Sequence, residues 1–200
     1  GVVHCSGALS STVLQPARDM GALTASFHPL QAFADLSAAI ENLPGSTFAL
    51  EGDEALVSQL DVLVDLLGGT PLHLRAEDKI LYHAAAAIAS NYTVTLAALA
   101  SDLLVREGIA GDSNQALRYL MPLLHGTIQN LDSTGLPDAL TGPIARGDTG
   151  TVAAHLAALD ECAPEMAHVY RHLARLTLPL ALDKGGLSEM EAQEIAKLLD

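Results

Sequence analysis

Arg75-Ala76-Glu77-Asp78-Lys79-Ile80-Leu81-Tyr82-His83-Ala84-Ala85-Ala86-Ala87-Ile88-Ala89-Ser90-Asn91-Tyr92 is the stretch where the chain changes character. Upstream of it, short β segments alternate with turn and helix signals. Downstream, strand signals stop and apolar residues recur at helical spacing.

On the upstream side, Val2–His4, Leu23–Phe27, Thr47–Glu51 and Leu72–Leu74 read as strands. Ser10–Met20, closed by Gly21, and Asp53–Leu67, closed by Gly68-Gly69, read as the helices between them. Strands joined by helices predict a parallel sheet in an α/β layer. On the downstream side, Asp78–Arg106 closes at Gly108 and Ser113–Leu131 is expected to kink or split at Pro122. Thr149–Glu161 and Glu165–Leu182 follow, and Ser188 with Glu191 signals a capping box on a last helix. The plan is α/β followed by all-α, with an expected boundary that divides the chain into 1–76 and 77–200.

The charge pattern excludes several partners. Ten Lys+Arg against 24 Asp+Glu leave a formal charge of −14 with no basic run, which suits neither nucleic acid nor an anionic membrane surface. Half of the 200 residues are hydrophobic and 17% are charged, ample for a sizeable core. Cys5 and Cys162 form no CxxC pair, so the reading is a reducing cytoplasm rather than a disulfide framework. The apolar stretch Ile80–Val105 is long enough to span a bilayer. His83, Ser90, Asn91, Thr93, Thr95 and Asp102 within it weigh against that reading. The opening GVVHCSGAL has neither the basic region nor the apolar core of a secretory signal.

Lysine is scarce, and Lys79 stands at the junction itself. At about 100° per residue, His83 lies roughly 40° and Ser90 roughly 20° around the helix from Lys79, whereas Asn91 is offset by about 120°. A lysine one turn from a histidine offers a proton donor with an orienting or relaying partner, and burial lowers the lysine pKa toward neutrality. The same spacing also fits an exposed lysine beside a structural histidine. Ser26-Phe27-His28-Pro29-Leu30-Gln31 follows a strand at the end where open α/β sheets bind ligands, so His28 and Gln31 are candidate pocket residues. Alternatively, Pro29 stops the sheet there. Ser6-Gly7 ends the first strand, and its backbone can approach a cofactor.

In the helical half, Arg146 is a candidate clamp for an anionic group and Asp148 a cap for the following helix. Glu165, His168 and His172 share a helical face, with Cys162 and His155 upstream, but no HExxH frames them and no metal site is assigned. GxGxxG, Walker A and GxSxG are all absent from the chain.

HCSGAL, SFHPLQAF, LPGSTFALEGD, EDKILYHAAAAIASNY and ALTGPIARGDTGTVAAHL, in that order, resemble the Rossmann-like oxidoreductases whose helical half is domain of unknown function 2520. This family is similar to ketopantoate reductase, pyrroline-5-carboxylate reductase and the β-hydroxyacid dehydrogenases. The resemblance implies the later part of a Rossmann-like NAD(P)-binding domain, then a helical domain like that of 6-phosphogluconate dehydrogenase, often dimer-forming. The first strand and glycine-rich phosphate loop would precede Gly1. In the β-hydroxyacid dehydrogenases a catalytic lysine is followed four residues later by asparagine, and the matching positions here are Lys79 and His83.

The expectation is an NAD- or NADP-dependent oxidoreductase moving hydride between nicotinamide and a small carbonyl, hydroxy or imine substrate, working as a homodimer. Lys79 would be the acid/base, with His83 orienting or relaying. His28, Gln31, Ser90, Asn91 and Arg146 would contact substrate, and Ser6 and Gly7 cofactor. The competing expectation is a non-catalytic dimerising or ligand-binding module. A metal-dependent hydrolase built on Glu165, His168 and His172 is a third.

Overall fold

Four strands form one sheet in the order β1 (Val2–His4), β2 (Thr24–Leu30), β3 (Thr47–Gly52), β4 (Thr70–His73). The computed structural model describes residues 1–33 and 36–200, and these divide into two units, Gly1–Thr95 and Leu96–Asp200.

The sheet belongs to the first unit. Its outer pairs, β1·β2 and β3·β4, are parallel, but β2 and β3 run antiparallel, which corrects the expectation of an all-parallel sheet. A helix still separates β2 from β3: α2 (Leu36–Asn42) lies between them in the chain. Between β1 and β2 come a 3-10 turn (Ser11–Leu14) and α1 (Gln15–Asp19), and between β3 and β4 comes α3 (Glu54–Leu66).

β2 does not stop at Pro29. It continues to Leu30, with Pro29 opposite Phe48 of β3. The β1 pairing ends at Ser26, so beyond that residue β2 has no β1 partner to supply with an N–H, and a proline is tolerated. Pro71 sits likewise in the edge strand β4.

α3 packs on the sheet because Leu56, Leu60 and Val64 recur at helical spacing and meet Ala25, Phe48 and Leu50. Burying each of those larger side chains contributes about 1.5–3 kcal/mol before entropy is counted. Asp53, at the N-cap of α3, turns its carboxylate to the Thr24 N–H at 2.7 Å and to Arg18 at 3.0 Å, tying the helix start to β2.

After β4, a 3-10 turn (Ala76–Asp78) leads into α4 (Lys79–Ala89). The expected single helix breaks at Ser90, and α5 (Asn91–Arg106) follows. By length and composition alone Ala76–Arg106 is apolar enough to cross a membrane. Its first turn is nevertheless anchored to the α/β layer by the buried Lys79.

The remaining elements are helical: α6 (Ser113–Thr134), a 3-10 turn (Ile144–Arg146), α7 (Thr149–Cys162), α8 (Pro164–Lys184) and α9 (Glu189–Leu198). α6 runs unbroken through Pro122, contrary to the expected kink or split. The hydrogen bond lost there is the one to the carbonyl of Arg118, an exposed residue whose carbonyl water can satisfy. Ile144, Val152, Leu156, Leu178, Ile195 and Leu199 form the main core of the second unit. Asp148 caps α7 by accepting from Thr151 N–H at 2.9 Å, and Ser188 with Glu191 forms the capping box of α9.

Candidate active site

Strand alternation puts Ser26 and His28 on one face of β2, and the antiparallel register sets Glu51 directly opposite Ser26 and Ala49 opposite His28. At the carboxyl end of β1 the chain turns through Ser6 and Gly7, shaped by His4. The His4 ring accepts the Ser6 N–H at Nδ1 (3.1 Å), so Nε2 carries the hydrogen and donates to the Ser10 carbonyl (3.1 Å).

Lys79, at the start of α4, reaches into this corner. It is 1% exposed, and its Nζ donates to the Ser26 hydroxyl at 2.7 Å and to the Ser6 carbonyl at 3.0 Å. Burial lowers its pKa, opposed by the attraction of the Glu51 carboxylate. Glu51 is itself buried and accepts from the Ser11 N–H and hydroxyl, both at 2.7 Å.

Above the lysine lie three rings. His28 Nδ1 and the Tyr82 hydroxyl are 2.8 Å apart, and the His28 and His83 rings are 6.4 Å apart. Lys79 Nζ is 5.8 Å from the centre of the Tyr82 ring. Both imidazoles close on Gly7, where a Cβ would come within 2.7 Å of His83 and 2.8 Å of His28. Burial lowers the His28 pKa, and the charges of Lys79 and His83 add to the effect. Burial pushes the Tyr82 hydroxyl up.

Ser6, Gly7, His28, Lys79 and His83 therefore gather as the sequence suggests. Lys79, expected as the proton donor to a substrate, instead lies beneath the loop with two hydrogens already engaged. Tyr82, Ser26 and Glu51 are participants the sequence reading missed. Tyr82 carried a signal, since it is one turn from Lys79 and adjacent to His83.

Three expected residues are elsewhere in the first unit. Gln31 bonds to the Asn42 carbonyl and Ser46 hydroxyl, holding the β2–β3 connection. Ser90 and Asn91 are exposed at the α4–α5 break, about 16–18 Å along the helix from Lys79. Arg146 is exposed in the second unit. Of the residues raised for a metal, Glu165 pairs with Arg106 at 2.8 Å and His155 with Tyr170 at 3.0 Å. Among the described residues, no three His, Cys, Asp or Glu side chains gather where they could hold a metal.

The arrangement fits the reactive end of a dinucleotide. It stands at the carboxyl end of β1, which pairs in parallel with β2, where open α/β sheets bind such ligands, and the two imidazoles cover the loop at the buried Gly7. The side chains that could meet a flat ring there are those of His28 and His83, with Ser6 on the loop beside them.

Residues 46–177 match the family model described as domain of unknown function (DUF2520). No curated protein matches the chain. Among solved structures, protein TM1727 of Thermotoga maritima superposes with a TM-score of 0.79 at 28% identity, over 92% of this chain and 69% of that one. The putative NADP oxidoreductase BF3122 of Bacteroides fragilis superposes with a TM-score of 0.69 at 22% identity, over 88% of this chain and 64% of that one.

Proposed function

The chain belongs to the DUF2520 family, and from that premise we propose that its protein is an NADP- or NAD-dependent oxidoreductase acting on a small carbonyl, hydroxy or imine substrate. The observation that carries this reading is the convergence of Lys79, His28, Tyr82 and His83 on the Ser6–Gly7 loop at the carboxyl end of β1 and β2. The name borne by the Bacteroides protein of similar fold supports it.

When bound, the nicotinamide supplies or accepts the hydride. The chain's own residues do the rest. Gly7, lacking a side chain, lets His28 and His83 pack onto the loop, the ammonium of Lys79 holds the Ser6 carbonyl against β2, and the two imidazoles face the substrate. The chain spans 64% of the length of the Bacteroides protein. Exposed apolar side chains on α4 (Ile80, Leu81, Ile88) and α6 (Leu123, Ile128) support a homodimer through the helical segments. The free, exposed thiols of Cys5 and Cys162 support a reducing cytoplasm.

The test is a fluorescence titration of the full-length protein with NADPH and NADH. Saturable binding of either is expected. Binding of neither overturns the reading and leaves a dimerising or ligand-binding module in its place.

A further inference from the structure

The two ring nitrogens of His28 meet different surroundings. Nδ1 lies 2.8 Å from the Tyr82 hydroxyl, with the two rings edge to face at 86°. Nε2 has no hydrogen-bond partner among the described residues, yet it is not among the atoms sealed from solvent without one. It packs at the edge of the Ser6–Gly7 loop, close to the buried Gly7.

In a phenol–imidazole hydrogen bond the phenol is the natural donor, and the half-buried Tyr82 hydroxyl keeps its proton because burial raises its pKa. If Nδ1 accepts that proton, the hydrogen of a neutral imidazole must sit on Nε2. We propose that His28, held in this tautomer by Tyr82, presents Nε2–H to the carbonyl oxygen of a small substrate, with Lys79 a positioning residue beneath it. The proposal rests on the oxidoreductase reading and narrows its substrate to the carbonyl class.

Two features favour a carbonyl over an imine. The free hydrogen-bonding group is a donor, so it meets an acceptor oxygen. A protonated imine brings a hydrogen and a positive charge instead, toward the Lys79 ammonium. The groups acting on His28 are Tyr82, Lys79 and His83 from α4, with Glu51 of β3 countering Lys79. Together with burial they hold His28 in its neutral form, which is the form that can donate from Nε2 while accepting at Nδ1. A neutral donor polarises a carbonyl without the cost of desolvating a full charge.

The test uses full-length protein labelled with 15N in the histidine rings, observed by NMR through a pH titration, with and without NADPH. Expected for His28 are a protonated-type Nε2 and a bare-type Nδ1, both displaced when NADPH binds. Tyr82→Phe should mix the tautomers while His4 keeps its own signature. The wild-type tautomer needs no variant to read, so a misfolded Tyr82→Phe does not blunt the test. NADPH binding accompanied by a bare Nε2, or by an unmoved His28 ring, overturns this inference alone. Absence of both NADPH and NADH binding overturns the oxidoreductase reading and removes the inference with it.

Discussion

The Lys79 ammonium donates to the Ser26 hydroxyl at 2.7 Å, joining the first turn of α4 to the middle of β2. Ser26 in turn donates to the Ser6 carbonyl at 3.4 Å, which Lys79 also reaches, so three chain segments meet on one buried cation. Lys79→Met removes the donor and leaves two buried oxygens short of a partner, an expected loss of about 1–3 kcal/mol. Urea unfolding of wild type and variant measures it, and equal midpoints would contradict the anchoring role.

The pH dependence of that lysine has a definite sign. Its native pKa lies below the ordinary 10.5, so between the two values the unfolded chain binds more protons and stability rises with pH. Lys79→Met should flatten the stability curve on the alkaline side below 10.5. An unfolding series at alkaline pH shows whether the difference between wild type and variant widens as predicted.

How much of this was legible follows from what sequence spacing encodes. Helical periodicity put Lys79 and His83 on one face, and the residues ending a strand marked Ser6, Gly7 and His28. Glu51 and Ser26 could not be paired the same way, because their contact depends on the antiparallel register of β2 with β3, across a proline that reads as a strand stop. Ser90 failed for a related reason: a shared face counts angle around the axis, while distance along it and the break after Ala89 decide what can meet. Gln31 looked like a ligand contact because it follows a strand, yet its amide is spent on the Asn42 carbonyl and Ser46 hydroxyl.

Glu51→Gln tests the counter-charge. The carboxylate accepts two hydrogen bonds from Ser11; the amide keeps the N–H bond at its oxygen and can donate to the hydroxyl, so what is lost is the charge that strengthens both bonds and faces Lys79. A loss of about 1–3 kcal/mol is expected, measurable by urea unfolding. Without the negative charge, the Lys79 pKa should fall further, visible as a lower Nζ titration by NMR.

His28 gives the acid-side counterpart. Its native pKa is below 6.5, so stability rises with pH between the native value and 6.5, where the unfolded chain takes up the proton first. His28→Gln should flatten the stability profile just below pH 6.5. Unfolding midpoints across that range test the claim, and a variant profile parallel to wild type would contradict it.

Gly7→Ala separates the site from the fold. The added Cβ would come within 2.7 Å of His83 Cδ2, 2.8 Å of His28 Nε2 and 2.9 Å of His28 Cε1, all atoms at the ends of movable side chains. The backbone can therefore stay while both imidazoles swing away, breaking the His28–Tyr82 hydrogen bond. The expected result is a variant within about 1–2 kcal/mol of wild-type stability, the range of ordinary single substitutions. Its His28 ring should no longer show the wild-type tautomer by 15N NMR, and its affinity for NADPH should fall, since both imidazoles leave their positions on the loop. Unchanged His28 signals in a folded Gly7→Ala protein would show that the imidazoles do not depend on the loop at Gly7.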